Sequence, residues 1–204
     1  MKMHNETIRS DVADEQEPCF DGRYARHDDP WHYDTCGYEI DKRADTLSFL
    51  YASYQRACEI GCSDGVLTEQ LAPRCRELIA VASAEAAATR ARARLAQWSQ
   101  VDIRLMQVPH QDLDGEFNLL VLSEVLYFLS APELVDMAAL ATRRVVPGGD
   151  LIIVSNDSET TTQLTGRQAT DLFIAGCGDA FEILRAKQRQ GYHVRLLQRR
   201  HGAE

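Results

Sequence analysis

At 204 residues, 45% of them hydrophobic, the chain is long enough to bury one sizeable core, and a single α/β domain is the economical expectation. With 31 acids against 22 lysines and arginines the net charge is −9, so a phosphate backbone finds no broad positive surface, which argues against nucleic acid as a partner. No apolar run approaches the roughly eighteen residues of a membrane span, and six cysteines without a C-x-x-C pair or zinc-like histidine spacing speak against a metal site and for a reduced, cytoplasmic setting.

The first 20 residues are polar and acidic and read as a poorly ordered tail; residues 21–204 are expected to form the domain, with 21–52 as a lid segment. Asp28 and Asp29 precede Pro30, whose fixed φ suits a turn or helix start. Two readings fit the aromatics that follow, Trp31 and Tyr33: they anchor the segment on the domain, or they close over a ligand. Residues 38–51 read as a helix with Ile40, Ala44, Leu47 and Leu50 at helical spacing, which places Glu39 and Lys42 nearly a turn apart. Residues 56–60 make a short strand with Glu59 near its tip. Gly61 and Gly65 bracket a turn, and residues 66–71 open a helix with Val66, Leu67 and Leu71 on one face. Glycines let a backbone come close to a ligand, and a carboxylate at a strand tip accepts hydrogen bonds from a cationic or hydroxyl-bearing group. The bare G-x-x-x-G spacing also describes an ordinary βα turn, because Ser63 stands where a pyrophosphate binder has its middle glycine.

Residues 78–82, LIAVA, are apolar throughout, as expected of a parallel strand covered on both faces. A helix over 85–98 follows, rich in Ala and Arg, with Arg90, Arg92 and Arg94 read as a solvated face. Strand three is expected over 101–107. Residues 117–123, FNLLVLS, form the fourth strand, and Glu124 and Tyr127 leave its carboxyl end, where ligands of open α/β sheets sit. A helix over 132–145 closes at Pro147-Gly148-Gly149 before a fifth strand at 150–154. Residues 155–163 are too hydrophilic for core and suit a loop beside a substrate. A helix over 168–176 precedes a final hairpin of strands 181–188 and 192–198 around Gln190-Gly191. The expected fold is a Rossmann-like, seven-stranded, mainly parallel sheet with helices on both faces, an antiparallel last strand and an N-terminal helical lid.

GCSDGVLTEQLAPRC, FNLLVLSEVLYFL and VVPGGDLIIV, taken together with Asp28-Asp29-Pro30-Trp31, Tyr38-Glu39 and Lys42, resemble the class I S-adenosylmethionine methyltransferases and more narrowly the nodulation protein S family. That family's named member N-methylates a sugar amine of a chitooligosaccharide. The resemblance implies an S-adenosyl-L-methionine cofactor and a small-molecule acceptor, with methyl transfer to nitrogen or oxygen of a sugar or amino sugar by a monomer or weak dimer. It implies that Trp31, Tyr38 and Lys42 close over the cofactor. Lys42 then meets the methionyl carboxylate, although a solvated pair with Glu39 fits the spacing as well. Glu59, Gly61, Cys62, Ser63, Gly65 and Ser123 would surround the methionine portion, Ala82 and Ser83 the ribose, and Val108-Pro109-His110 the adenine, with His110 either bordering the ring or remaining a surface residue. Glu124, Tyr127 and Asp157 would lie beside the transferred methyl.

Three positions depart from the family pattern. Ala82 stands where an acid usually accepts both ribose hydroxyls, a loss worth on the order of 1.5–3 kcal/mol unless Glu85 reaches back. Ser155 and Thr170 stand where the family tends to carry a His-Trp-Arg-like segment and a histidine. Two rival readings follow from these departures: a degenerate, non-catalytic relative that binds a metabolite or partner, or a methyltransferase fold turned to another nucleotide-like ligand.

Overall fold

Four runs of buried residues decide the architecture, three of them apolar without a break and the first interrupted by Glu59, because strands whose side chains are buried on both faces must sit in the middle of a covered sheet. They lie in β1 (Tyr54–Ile60), β2 (Cys75–Ala82), β4 (Phe117–Ser123) and β5 (Val145–Asn156), and the residues of each run are almost wholly buried. The structure, a computed structural model, describes residues 36–157 and 162–202. The expectations for the acidic tail, Asp28, Asp29, Pro30, Trp31 and Tyr33 lie outside the described residues.

With β3 (Val101–Leu105), β6 (Phe181–Arg189) and β7 (Tyr192–Arg199), the sheet has the order β3-β2-β1-β4-β5-β7-β6. β1 pairs in parallel with β2 and β4, β2 with β3, and β4 with β5, whereas β7 runs antiparallel to both β5 and β6. The seven-stranded, mainly parallel sheet is the one expected. Its order reverses between β1 and β4, so a crevice opens beyond their carboxyl ends, at Gly61 and Glu124.

One face of the sheet is covered by α4 (Ala131–Arg144) and α5 (Gly166–Cys177), whose Leu134, Met137, Ala141 and Phe173 pack with Phe117, Leu120 and Leu122. The other face receives Phe49 and Leu50 from the end of α1 (Gly37–Phe49) and Leu67 and Leu71 from α2 (Val66–Leu71). α3 (Glu85–Arg94) packs alanine on alanine against Ala80 and Ala82 of β2. No described helix is long and apolar enough to cross a membrane.

Helix α1 differs from the expectation in a way that matters for the site. Ile40 is 46% exposed and Ala44 is exposed, while Lys42, Arg43, Asp45, Thr46 and Phe49 are buried. The helix lies across the polar mouth of the sheet, so its inner face is polar and needs partners from elsewhere in the chain. Asp45 finds three on the last hairpin: Lys187 Nζ at 2.6 Å, Arg189 Nε at 2.9 Å and the Tyr192 hydroxyl at 2.9 Å. The Arg189 guanidinium and its neighbours hold the Asp45 carboxyl far below the usual carboxylate range.

Other corrections are local. α3 ends at Arg94, which turns back to donate from Nε to the Asp64 carbonyl at 3.2 Å and sits 3.5 Å from Glu69, so it braces the glycine turn instead of facing solvent. β5 starts at Val145, and Gly148, with φ at +76°, lies in the stretch where its register with β4 shifts. α5 begins with a capping box in which Thr165 and Gln168 satisfy one another's backbone N–H groups.

Gly166, the first residue of α5, lies so close to β5 that an added Cβ would fall 1.9 Å from the Asn156 carbonyl oxygen. Backbone cannot rotate away as a side chain can. Gly166→Ala is expected to lower the unfolding free energy by about 1–3 kcal/mol, read as a lower urea midpoint at unchanged slope.

Candidate functional site

The crevice is shaped first by backbone. Gly61, with φ at +85°, passes so near β4 that a Cβ there would sit 2.1 Å from Val125 Cγ1 and 3.3 Å from the Ser123 carbonyl. The N–H groups of Gly61 and Cys62 both donate to the Val81 carbonyl at 2.9 Å, which locks the turn onto β2. Ser63 adopts a left-handed φ of 53° and Gly65 one of +86°, so Ser63 takes the conformation that glycine usually supplies. The turn, the ends of β1 and β4 and the underside of α1 border a cleft that is open to solvent. Glu39, Lys42, Arg43, Thr46, Glu59, Gly61, Cys62, Ser63, Asp64, Val66, Leu67, Ser123 and Glu124 line it.

Its charges are unusually well buried. Glu59 is 1% exposed and its one described donor is the Thr68 hydroxyl at 2.6 Å, so burial pushes its pKa up to about 7. Lys42 is 5% exposed and lies 2.7 Å from Glu39 and 3.1 Å from Glu124. Burial works against its ammonium, but the Glu124 and Glu39 carboxylates outweigh that and hold its pKa above the ordinary value. Glu124, in a left-handed conformation with φ at 58°, accepts from the Tyr127 hydroxyl at 2.6 Å and from the Asn156 N–H at 3.2 Å. Arg43 is the exception. Its Nε and Nη1 are sealed from bulk solvent and have no hydrogen-bond partner among the described residues.

A second polar cluster lies beyond the ends of β5 and β7. Asp157 meets His193 Nδ1 at 2.8 Å, the Gln188 amide at 2.5 Å and Arg167 at 3.2 Å. Burial raises its pKa, but these donors pull it below the usual range. The other ring nitrogen of His193 lies 3.1 Å from the Thr170 hydroxyl. An imidazole therefore contacts the residue where the family pattern expects one, although it comes from β7 and is 2% exposed.

A model of the nodulation protein S family matches residues 21–172. The chain belongs to that family. It is 36% identical over 121 residues to nodulation protein S of Bradyrhizobium diazoefficiens, covering 58% of this chain and 56% of that protein. To nodulation protein S of Rhizobium tropici it is 32% identical over 131 residues, covering 63% and 55%. The chain thus spans little more than half the length of these curated relatives. Among solved structures it is similar to the N-methyltransferase NodS of Bradyrhizobium japonicum in complex with S-adenosyl-L-homocysteine, with a TM-score of 0.74 at 23% identity, covering 87% of this chain and 95% of that one. A putative methyltransferase from Pseudomonas syringae has a TM-score of 0.70 at 28% identity, covering 79% and 99%.

Of the residues singled out in this NodS-family sequence, the fold brings Lys42, Glu59, Gly61, Cys62, Ser63, Ser123 and Glu124 into one cleft. Gly65 lies behind the turn, where a Cβ would fall 2.9 Å from Leu95. Tyr38 points to the last hairpin, donating to the Gly191 carbonyl at 2.9 Å and meeting Tyr192 edge-on at 5.3 Å. Tyr127 backs Glu124 from a buried position, and Asp157 sits in the second cluster.

The ribose side looks different. Ala82 ends β2 as expected but is 1% exposed, in a cluster with Cys62, Ala84, Ala87 and Ala88. Ser83 is exposed, its carbonyl accepting from Gln107, and Glu85 pairs with Arg92 at 3.3 Å, not with the strand tip. Pro109 follows a cis peptide, and His110 lies on the surface 2.9 Å from Glu133. The sequence reading missed Arg43, Thr46 and Asp64 as cleft residues. Glu39, Lys42, Arg43 and Thr46 share one helical stripe at intervals of three and four, a polar periodicity that could have revealed it.

Two expected outcomes follow. A carboxyl whose pKa is raised by folding costs nothing below its ordinary value of 4.5, and the full cost appears above about 7. Glu59→Gln should therefore be more stable than the parent by about 3 kcal/mol at pH 8 and by little at pH 4; a difference that does not grow with pH would contradict the buried acid. Ala82→Asp should lower the melting temperature, because it places a carboxylate among alanines.

Proposed function

We propose that the chain is a methyltransferase that takes its methyl group from S-adenosyl-L-methionine and delivers it to the nitrogen of a small amine, with an amino sugar as the acceptor class. The observation that carries this reading is the cleft at the β1/β4 switch point, where a buried acid and a glycine turn lie beneath a roofing helix. Membership of the nodulation protein S family supports it, as does the S-adenosyl-L-homocysteine bound to the Bradyrhizobium japonicum protein. The cofactor would supply an electrophilic methyl on a sulfonium.

The chain's own residues fit that partner. Glu59 has no cation of its own, so an amino group entering the cleft would find a carboxyl ready to ionise and accept from it. Helix α1 covers the cleft with Glu39, Lys42 and Thr46, which keeps water from the reacting atoms. Glu124 is held by Lys42, Tyr127 and Asn156 in a fixed position at the strand tip. A carboxylate fixed there stabilises the positive charge that builds on an attacking amine. Asp157, with its lowered pKa and its donors, is a poor proton acceptor, so the amine is expected to arrive neutral and to lose its surplus proton to solvent.

A second reading has its own support. Ala82 presents no ribose acceptor and Glu124 is tied to Lys42 and Tyr127, which suits a relative that binds the cofactor without turning it over.

Calorimetry with S-adenosyl-L-homocysteine tests the cofactor. Affinity is expected to fall by up to tenfold per pH unit below about 7, with proton release on binding, and to level off above it. No binding at millimolar ligand would refute the cofactor assignment. Labelled S-adenosyl-L-methionine with a free-amine chitooligosaccharide then separates the readings: label in the sugar supports transfer, and binding without transfer supports the non-catalytic form.

A further inference from the structure

We infer that Asp157 anchors a hydrogen-bond donor of the acceptor, and that His193, buried behind it, is the positioning residue that holds it there. The inference rests on the proposed function, since it assigns the acceptor side of the same crevice.

Sheet order puts Asp157 on that side. Passing from β1 to β4 to β5, the carboxyl ends present the glycine turn, then Glu124, then Asn156 and Asp157. A cofactor over the glycine turn leaves the β5 side to whatever reacts with it. The Asn156 N–H donates to Glu124 at 3.2 Å, so Asp157 stands one residue from a direct contact with the strand-tip acid. Its own N–H donates to the Gly191 carbonyl at 2.8 Å, the same carbonyl that Tyr38 of α1 reaches.

The side chain is held as firmly as the backbone. One carboxylate oxygen meets His193 Nδ1 at 2.8 Å, and the other accepts from Gln188 at 2.5 Å and Arg167 at 3.2 Å, so β7, β6 and α5 each supply a donor. A carboxylate offers about four acceptor positions, which leaves one. The Asp157 side chain also keeps 14% of its surface open. Burial raises its pKa, yet these donors hold it below the usual range. The group is thus an ionised receiver of hydrogen bonds and a weak receiver of protons.

His193 has no such opening. Its side chain is 3% exposed, and Thr170, 3.1 Å from Nε2, is fully buried. Hydroxyl, imidazole and carboxylate stand in the order of a nucleophilic triad, but no substrate carbonyl can reach a hydroxyl so covered. The imidazole cannot touch a substrate either, so it acts through Asp157. An ionised carboxylate only accepts, and Nδ1 therefore carries the hydrogen between them.

The test measures methyl transfer from labelled S-adenosyl-L-methionine to a free-amine chitooligosaccharide by the whole chain. An asparagine amide places its nitrogen near the position of Nδ1, and a glutamine amide near that of Nε2. His193→Asn is therefore expected to keep the acceptor KM within about threefold of the parent's, whereas His193→Gln and Asp157→Asn each raise it about tenfold with no matching fall in kcat, the effect of one weakened hydrogen bond to a charged group. Because His193 acts through Asp157, His193→Gln should add no further rise in the Asp157→Asn background. Equal KM values for His193→Asn and His193→Gln overturn the inference. So do additive effects in the double variant, or a loss confined to kcat with a shifted pH profile. If His193→Gln does not fold by circular dichroism, Asp157→Asn decides, and a KM equal to the parent's overturns the inference. Each of these outcomes leaves the proposed function standing. A parent that transfers no label to the sugar refutes the proposed acceptor first, and the inference with it.

Discussion

Lys42 lies between Glu39 and Glu124, and this buried group of three charges joins the helix over the cleft to the tip of the fourth strand. An ammonium taken out of water is costly, and two carboxylates at close range offset more of that cost than one. Everything around the cleft depends on that arrangement. It turns the polar side of α1 inward, fixes Glu124 where Tyr127 and the Asn156 N–H can reach it, and commits the lysine, whereas Arg43 beside it has open donors among the described residues. Removing either acid would leave a buried charge unbalanced, which disturbs a structure more than removing the whole group does.

The fold was legible because β2, β4 and β5 each carry an unbroken apolar run, and such runs leave little choice of layer. The glycine turn and the exit of Ser123-Glu124 could likewise be placed, since both lie one residue beyond strands that the sequence marks clearly. Helix α1 was misread on its faces. Apolar spacing put Ile40 and Ala44 inward, whereas the helix buries Lys42 and Asp45 because their partners wait at Glu124, Lys187, Arg189 and Tyr192, and Arg43 is buried with them. A local pattern cannot announce a partner so distant in the chain. The same holds for Arg94, which reads as a surface arginine until the fold brings Asp64 beneath it.

The two ends of the site stand in contrast. Where a methionyl head would lie, this NodS-family chain concentrates buried charge and left-handed backbone, with Gly61, Ser63 and Glu124 all at positive φ. Where a ribose would lie, it has alanines and an exposed serine. Affinity for a nucleoside cofactor would then come mainly from one end of the ligand. The second cluster carries a similar exchange: Thr170 of α5 lacks an imidazole, and His193 brings one to the same spot from β7, held by Asp157.

The contacts of Asp45 join distant parts of the chain, 142 residues apart for Lys187 and 147 for Tyr192. A protein is made from its N-terminus forward, and domains fold as their residues emerge. Lys42 and Phe49 of α1 have partners on strands made early, but Asp45 has none of its three until the closing hairpin has been translated. The roof over the cleft thus takes its last contacts from the last residues of the domain to be made.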